Sequence, residues 1–142
     1  MKVGIVSGYF NPLHLGHLQN IKEAKENCDY LVCIVNNDLQ QKLKKGKIIM
    51  HEEERFEIIK ALRYVDEAFL SIDKDPSVCE SIKFVAGKFP EDKLIFFKGG
   101  DRQSLDDIPE ANIDVKIEFK FGVGGFNKLN SSSDINKILD RE

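Results

Sequence analysis

Apolar positions fall in short blocks, and the spacing inside the blocks switches between two patterns. Residues 2–7 are mostly apolar without clean alternation (Val3, Ile5, Val6), as expected of a central parallel strand buried on both faces. Leu18, Ile21, Ala24 and Cys28 then recur at helical spacing, which predicts a helix over residues 15–27. Residues 29–37 contain Tyr-Leu-Val-Cys-Ile-Val, a second buried strand closed by the turn chemistry of Asn36-Asn37-Asp38. Strand, helix and strand at this spacing form a βαβ unit, which is right-handed in nearly all cases.

The rest of the chain continues the alternation. A basic loop is expected at 38–50, then a helix at 51–64 that opens on Glu52, Glu53 and Glu54 and buries Phe56, Ile59, Ala61 and Leu62. A short strand follows at 65–72, a helix at 75–88 ended by Pro90, and a buried strand at 93–97. Val115, Ile117, Phe119 and Phe121 alternate with polar neighbours, which predicts a half-buried strand at 114–121 near a sheet edge. Residues 134–139 read as a closing helix. The expected fold is α/β and Rossmann-like: a doubly wound sheet of about five parallel strands, in order 3-2-1-4-5, with helices on both faces.

Length and charge narrow the field. At 142 residues, one domain spanning 1–142 is expected. The net charge of −3, with acids and bases mixed, carries no polyanion-binding footprint, so nucleic acid is not an expected partner. No apolar run approaches membrane-spanning length and the N-terminus has no signal-peptide layout, so no membrane partner is expected. Cys28, Cys33 and Cys79 have no metal-ligand spacing and read as reduced thiols of a cytoplasmic protein.

The chemistry concentrates in residues 8–17, Gly-Tyr-Phe-Asn-Pro-Leu-His-Leu-Gly-His, between the first strand and the first helix. A helix N-terminus offers free backbone N–H groups and partial positive charge, which suit a phosphate. His14 and His17, three apart where the helix begins, add two imidazole donors on one face, and Gly16 allows close approach of a ligand to the backbone. Helical zinc pairs are usually spaced by four, so phosphate chemistry ranks above metal binding. Lys42, Lys44, Lys45 and Lys47 alone would be a solvated run, but they follow the carboxyl end of the second strand, where a bound phosphate would need cations. Gly99, Gly100, Asp101 and Arg102 follow the fourth strand: the glycines allow close backbone approach, Asp101 can accept from a ribose or base, and Arg102 can meet a phosphate. Asp101 as an ordinary helix cap stands as the alternative. Asn130, Ser131, Ser132 and Ser133 precede the closing helix with more hydroxyls than one cap needs. In a 3-2-1-4-5 sheet, the loops after the first, fourth and fifth strands meet at one crevice. The Gly-rich stretch 122–125 does not fit the dinucleotide fingerprint.

The stretch His14-Leu15-Gly16-His17 resembles the HxGH signature of the nucleotidyltransferase superfamily of cytidylyl- and adenylyltransferases. The resemblance runs from residue 1 to about 71 and returns at 98–102 and 130–135. It implies that His14, His17 and a basic-loop lysine, Lys44, act on the α-phosphate of CTP or ATP, with Lys47 beside them. It extends nucleotide contact to Gly8, Tyr9, Phe10, Asn11, Gly16, residues 99–102 and the serine motif at 130–133. Arg55 and Arg63 match arginines of the cytidylyltransferase branch, where this region reaches towards phosphate and helps form a homodimer; for both, a surface ion pair with Glu52 or Asp66 is the ordinary alternative. The attacking phosphate is already ionised, so no general base is needed, in keeping with the lack of an obvious nucleophile–base pair. Mg²⁺ is expected as cofactor, held mainly through phosphates with no direct protein ligand.

Within the superfamily the first half looks most like glycerol-3-phosphate and related cytidylyltransferases. Residues 98–101 look more like heptose-phosphate adenylyltransferases, and Asn11-Pro12 is similar to nicotinate-mononucleotide adenylyltransferases. Asn11 stands where the cytidylyltransferases carry aspartate, Lys128 is the one candidate for the basic residue before the serine motif, and Ser133 replaces threonine. The expected reaction is nucleotidyl transfer from CTP, ahead of ATP, to a polyol phosphate, sugar phosphate or similar acceptor, with release of pyrophosphate. An adenylyltransferase acting on FMN or nicotinate mononucleotide is the alternative. A non-catalytic nucleotide-binding module is a third, opposed by the intact His14, Gly16 and His17.

Overall fold

The computed structural model describes residues 1–11, 13–44, 47–99 and 109–123. Its elements run β1 (Lys2–Gly8), α1 (Leu15–Glu26), β2 (Tyr30–Val35), α2 (Asp38–Lys44), α3 (Glu52–Lys60), β3 (Glu67–Leu70), α4 (Cys79–Lys88), β4 (Lys93–Gly99), a 3-10 turn (Pro109–Asn112) and β5 (Glu118–Val123). The five strands form one parallel sheet in the order β3-β2-β1-β4-β5, as expected from the sequence. Val3 of β1 pairs with Tyr30 of β2 and with Leu94 of β4, so β1 lies at the centre. Connections pass outward from β1 to β3 and then return to β4, which puts the switch point between β1 and β4.

Alternation along each strand divides the core. On one face Val6, Leu31, Cys33, Val35, Ile95 and Phe97 pack under α1 and α3, with Ile21, Ala24 and Ile59 from those helices. On the other, Val3, Ile5, Val32, Ile34, Leu94 and Phe96 pack under α4, with Ile82 and Val85. Both faces are covered, so the inner strands read as nearly continuous apolar runs. Each fully buried aliphatic or aromatic side chain contributes about 1.5–3 kcal/mol. Gly4 sets how closely α1 returns to the sheet: a Cβ there would lie 2.7 Å from Cys28 Sγ and 2.8 Å from a Phe97 ring carbon. The half-buried alternation predicted at 114–121 lies on β5, at the sheet edge, although the strand itself begins at Glu118. All three cysteines are free, and among the described residues no helix is long and apolar enough to cross a membrane.

Three expected boundaries are corrected. The stretch 38–50 is not all loop: its first part is α2, whose inward side chains are Gln40 and Gln41. Because that buried face is polar, it leaves no apolar period in the sequence. The helix expected at 75–88 begins at Cys79, because Asp73 caps it by accepting from the Glu80 and Ser81 N–H groups while Asp75 holds Ser77 in a turn. The helix expected at 51–64 is confined to α3, Glu52–Lys60.

Candidate active site

His14 is the N-cap of α1 in extended backbone, and His17 stands at the third helical position. The Gly16 N–H donates to His14 Nδ1 at 3.0 Å, and the His14 N–H donates to His17 Nδ1 at 3.2 Å. The two imidazoles therefore perform the reciprocal capping usually made by a serine and a glutamate. Each neutral ring, accepting through Nδ1, carries its proton on Nε2. The ring centroids lie 3.8 Å apart, and burial holds His14 below its ordinary value of 6.5. Neutral N–H donors at a positive helix end are thus fixed by backbone geometry.

Phe10 holds this turn. Its φ of 51° is the one left-handed non-glycine backbone among the described residues, at a cost of about 1–2 kcal/mol. Its buried ring offsets that cost by packing into the core and edge-on against His17, with centroids 5.1 Å apart. Gly8 makes room, since a Cβ there would lie 2.8 Å from the Phe10 ring. The Phe10 side chain is therefore committed to the core, and only its backbone is left to meet a nucleotide.

Asn11 ties the turn to the far end of the basic segment. Its Oδ1 accepts from the Ile49 and Met50 N–H groups at 2.9 and 2.8 Å, and its Nδ2 donates to the Lys47 carbonyl at 3.2 Å. An aspartate could accept both N–H groups but could not donate to the carbonyl, so this geometry suits the amide. Arg55 corrects an expectation. It is 1 % exposed rather than at the surface, and it contacts neither Glu52 nor Asp66 among the described residues. Its guanidinium donates to the carbonyls of Met50, Tyr9 and Asn36 and to Asp38 Oδ1 at 2.7 Å. A buried guanidinium with these donors engaged joins the carboxyl ends of β1 and β2; it is not placed to touch a phosphate or a second subunit. Burial alone would raise the Asp38 carboxyl, but the Arg55 hydrogen bond leads the contacts that hold it below its ordinary value. Arg63 is exposed, with its guanidinium over the Tyr64 ring.

Across β1 from the histidines, on the α4 side, lies a cavity of about 520 Å³ at the switch point. Gly8 and Tyr9 of the histidine segment, Asn36 after β2, Asp75 and Ser77 before α4, Lys98 of β4 and Glu110 of the 3-10 turn line it. Burial first, then the Glu110 and Asp75 carboxylates, push the Tyr9 hydroxyl up to about 12 against the opposing pull of Arg55.

Residues 5–136 match the family described as Cytidylyltransferase-like. The chain belongs to that family. It is similar to an FAD synthase of Ferroglobus placidus, 43% identical over 75 residues, which are 53% of this chain and 49% of that protein. It is also similar to the Bifunctional protein HldE of Hyphomonas neptunium, 33% identical over 117 residues, 78% of this chain and 22% of the other. The chain therefore spans about half the length of the FAD synthase it matches and less of HldE. Among solved structures, a lipopolysaccharide core biosynthesis protein from Thermoplasma volcanium shares the fold, with a TM-score of 0.67, 24% identity, and coverage of 89% of this chain and 99% of that one.

In this cytidylyltransferase-like chain, Gly8, Tyr9, Phe10, Asn11, His14, Gly16 and His17 form one turn, and Asn11 brings Lys47 to it. Lys44 ends α2, and Gly99 ends β4. Gly100, Asp101, Arg102, Lys128, Asn130, Ser131, Ser132, Ser133 and the helix expected at 134–139 lie outside the described residues, as do Pro12 and Lys45. Asn36, Asp75 and Glu110 were not singled out from the sequence as site residues. Asn36 read as turn chemistry, and the two acids sit in no motif; only the β2–β1–β4 adjacency shows that they share a cavity.

Proposed function

We propose that the chain transfers a nucleoside monophosphate from CTP or ATP to a phosphorylated small molecule, releasing pyrophosphate. The observation that carries this reading is the reciprocal histidine cap of α1, which fixes two imidazoles as Nε2–H donors at a helix N-terminus beside the switch point. In the proposed step, an ionised oxygen of the acceptor phosphate forms a bond to the α-phosphorus. The bond from that phosphorus to the oxygen leading to the β-phosphate breaks, and pyrophosphate leaves with the electron pair. No proton has to be taken from the nucleophile. The protein supplies in-line positioning, and His14 and His17 supply donors for charge that builds on the α-phosphate oxygens.

Lys44 and Lys47 supply cations to the triphosphate in this proposal. Asn11 holds the Lys47 backbone at the histidine turn. Mg²⁺ would neutralise and align the phosphates. Among the described residues no cluster of three or more acids, histidines or cysteines is placed to cage a metal, and the Asn11 oxygen is taken by backbone N–H groups, so the donor set suits a metal carried in on the triphosphate. A cytoplasmic homodimer acting as one domain over 1–142 completes the reading; light scattering on the purified protein checks the dimer. The FAD synthase likeness favours a second version, with ATP as donor and FMN as acceptor.

Calorimetric titration of CTP and of ATP, each with Mg²⁺, into the wild type and into His17→Ala tests the reading. Binding of at least one triphosphate that weakens in the variant supports it, and the preferred nucleotide separates the two versions. Binding of neither to folded wild type removes it.

A further inference from the structure

Seven large apolar side chains are exposed among the described residues, and five of them come from one end of the molecule: Leu15, Leu39, Leu43, Ile49 and Ile72. Each lies in a segment that follows the carboxyl end of a strand, Leu15 after β1, residues 39–49 after β2 and Ile72 after β3. Within this end, α2 is inverted. Gln40 and Gln41 are buried, whereas Leu39 and Leu43, four apart and therefore on one face, are 49% and 56% exposed. The inversion is fastened in place. Gln40 accepts from the Asn37 N–H and donates to the Asp75 and Ser77 carbonyls, and the Asn37 amide donates to the Ser71 and Asp73 carbonyls. α2 cannot turn its leucines inward without giving up these bonds.

The charges interleaved with these apolar positions are positive. Residues 38–50 hold four lysines against one aspartate. Lys42, next to Leu43, and Lys74, two residues after Ile72, are exposed and have no ion-pair partner among the described residues. Lysines elsewhere, such as Lys83, Lys88 and Lys93, sit against Glu80, Glu67 and Glu118. The acids of the same segments are turned to internal donors: Asp38 to Arg55, Asp73 to the Glu80 and Ser81 N–H groups, and Asp75 to Ser77. Exposed acids, Glu53 and Glu54, begin beyond the segment, in α3.

We infer that this end of the molecule docks on an anionic lipid surface, with Leu39 and Leu43 entering the headgroup layer and Lys42 and Lys74 meeting the lipid charges. Shallow apolar insertion combined with lysines held at the headgroups binds a protein to a bilayer without a spanning segment. No described helix is long and apolar enough to cross a membrane, and a contact of this kind requires none. The exposed apolar positions are spread over segments that follow three different strands, which suits a broad, adaptable surface better than an acidic protein groove. Leu15 directly follows His14, so the docked face borders the histidine turn. The inference does not depend on the nucleotidyl-transfer reading.

Sedimentation with vesicles tests it, using phosphatidylcholine alone and phosphatidylcholine with about one-third phosphatidylglycerol. The full chain is compared with the double variant Leu39→Ser, Leu43→Ser. The wild type is expected to sediment with the anionic vesicles, to bind the neutral ones about 10-fold less tightly or worse, and to be released as salt rises. The double variant is expected to lose about 10-fold or more in affinity for the anionic vesicles. Its urea midpoint and triphosphate binding should stay at wild-type values, because both leucines are exposed. Lys42→Glu combined with Lys74→Glu should weaken anionic-vesicle binding by a similar factor. A folded wild type that does not bind anionic vesicles, equal binding to both vesicle types, or unchanged binding in the leucine variant would overturn the inference. A wild type that ignores vesicles but forms a dimer the leucine variant cannot form, measured by light scattering, would assign the leucines to a second copy instead.

Discussion

On the α1 side of the β1 carboxyl end, His14 and His17 come from a single turn and hold each other through backbone N–H groups. On the α4 side, Asn36, Asp75 and Glu110 come from the end of β2, the loop before α4 and the turn before β5. The first arrangement is rigid within itself and needs only a helix start. The second exists only when the whole sheet is formed, and its polar atoms remain open towards a cavity. The first depends on neighbours in the chain, the second on strand order. Arg55 joins the two sides through the Tyr9 and Asn36 carbonyls, so substitution there disturbs both at once.

The largest expected effect is on the histidine side. His17→Ala and His14→Ala should each lower kcat by about 10²–10³, with acceptor KM nearly unchanged. A loss confined to KM would place the histidines in binding rather than in charge stabilisation. Next is the shared clamp. Arg55→Ala leaves Asp38 and the Tyr9, Asn36 and Met50 carbonyls without the guanidinium, and should cost about 3 kcal/mol in urea unfolding. A wild-type urea midpoint would show that the clamp carries no load. Asn11→Ala should cost about 1–2 kcal/mol, because the amide gives up its contacts with Lys47, Ile49 and Met50. Asn11→Asp should recover part of that loss by accepting the two N–H groups, and equal stability of the two variants would remove the case for the amide.

The smallest effect is acid sensitivity. Burial holds the folded His14 below 6.5, so the unfolded chain takes up a proton first. Stability from this group is full above 6.5, declines as pH falls from there to the folded value, and falls no further below it. Urea midpoints between about pH 5 and about pH 8 should show that decline in the wild type and less of it in His14→Ala. An identical decline in both would assign it to other groups.

What could be seen in the sequence follows the same division. Coverage of both faces was legible because runs such as residues 30–35 are nearly all apolar, which suits a strand covered on both faces, and strand order followed from the alternation of strands and helices. The histidine turn was legible because its parts are neighbours in the chain. α2 was not, since Gln40 and Gln41 give its buried face no apolar period. Arg55 read as a phosphate or dimer contact, with a surface ion pair as the ordinary alternative; its burial depends on carbonyls contributed by three separate segments. Asn36 and Glu110 carry ordinary turn and surface composition, and their meaning comes from the cavity they share.

The most direct test is pyrophosphate release from CTP and from ATP with Mg²⁺ and hydroxylated acceptor phosphates, in wild type and in His17→Ala. Release that requires both substrates and falls by about 10²–10³ in the variant is the predicted result. Release at the same rate in the folded variant, or none from a wild type that binds both substrates, would contradict nucleotidyl transfer at the histidine turn.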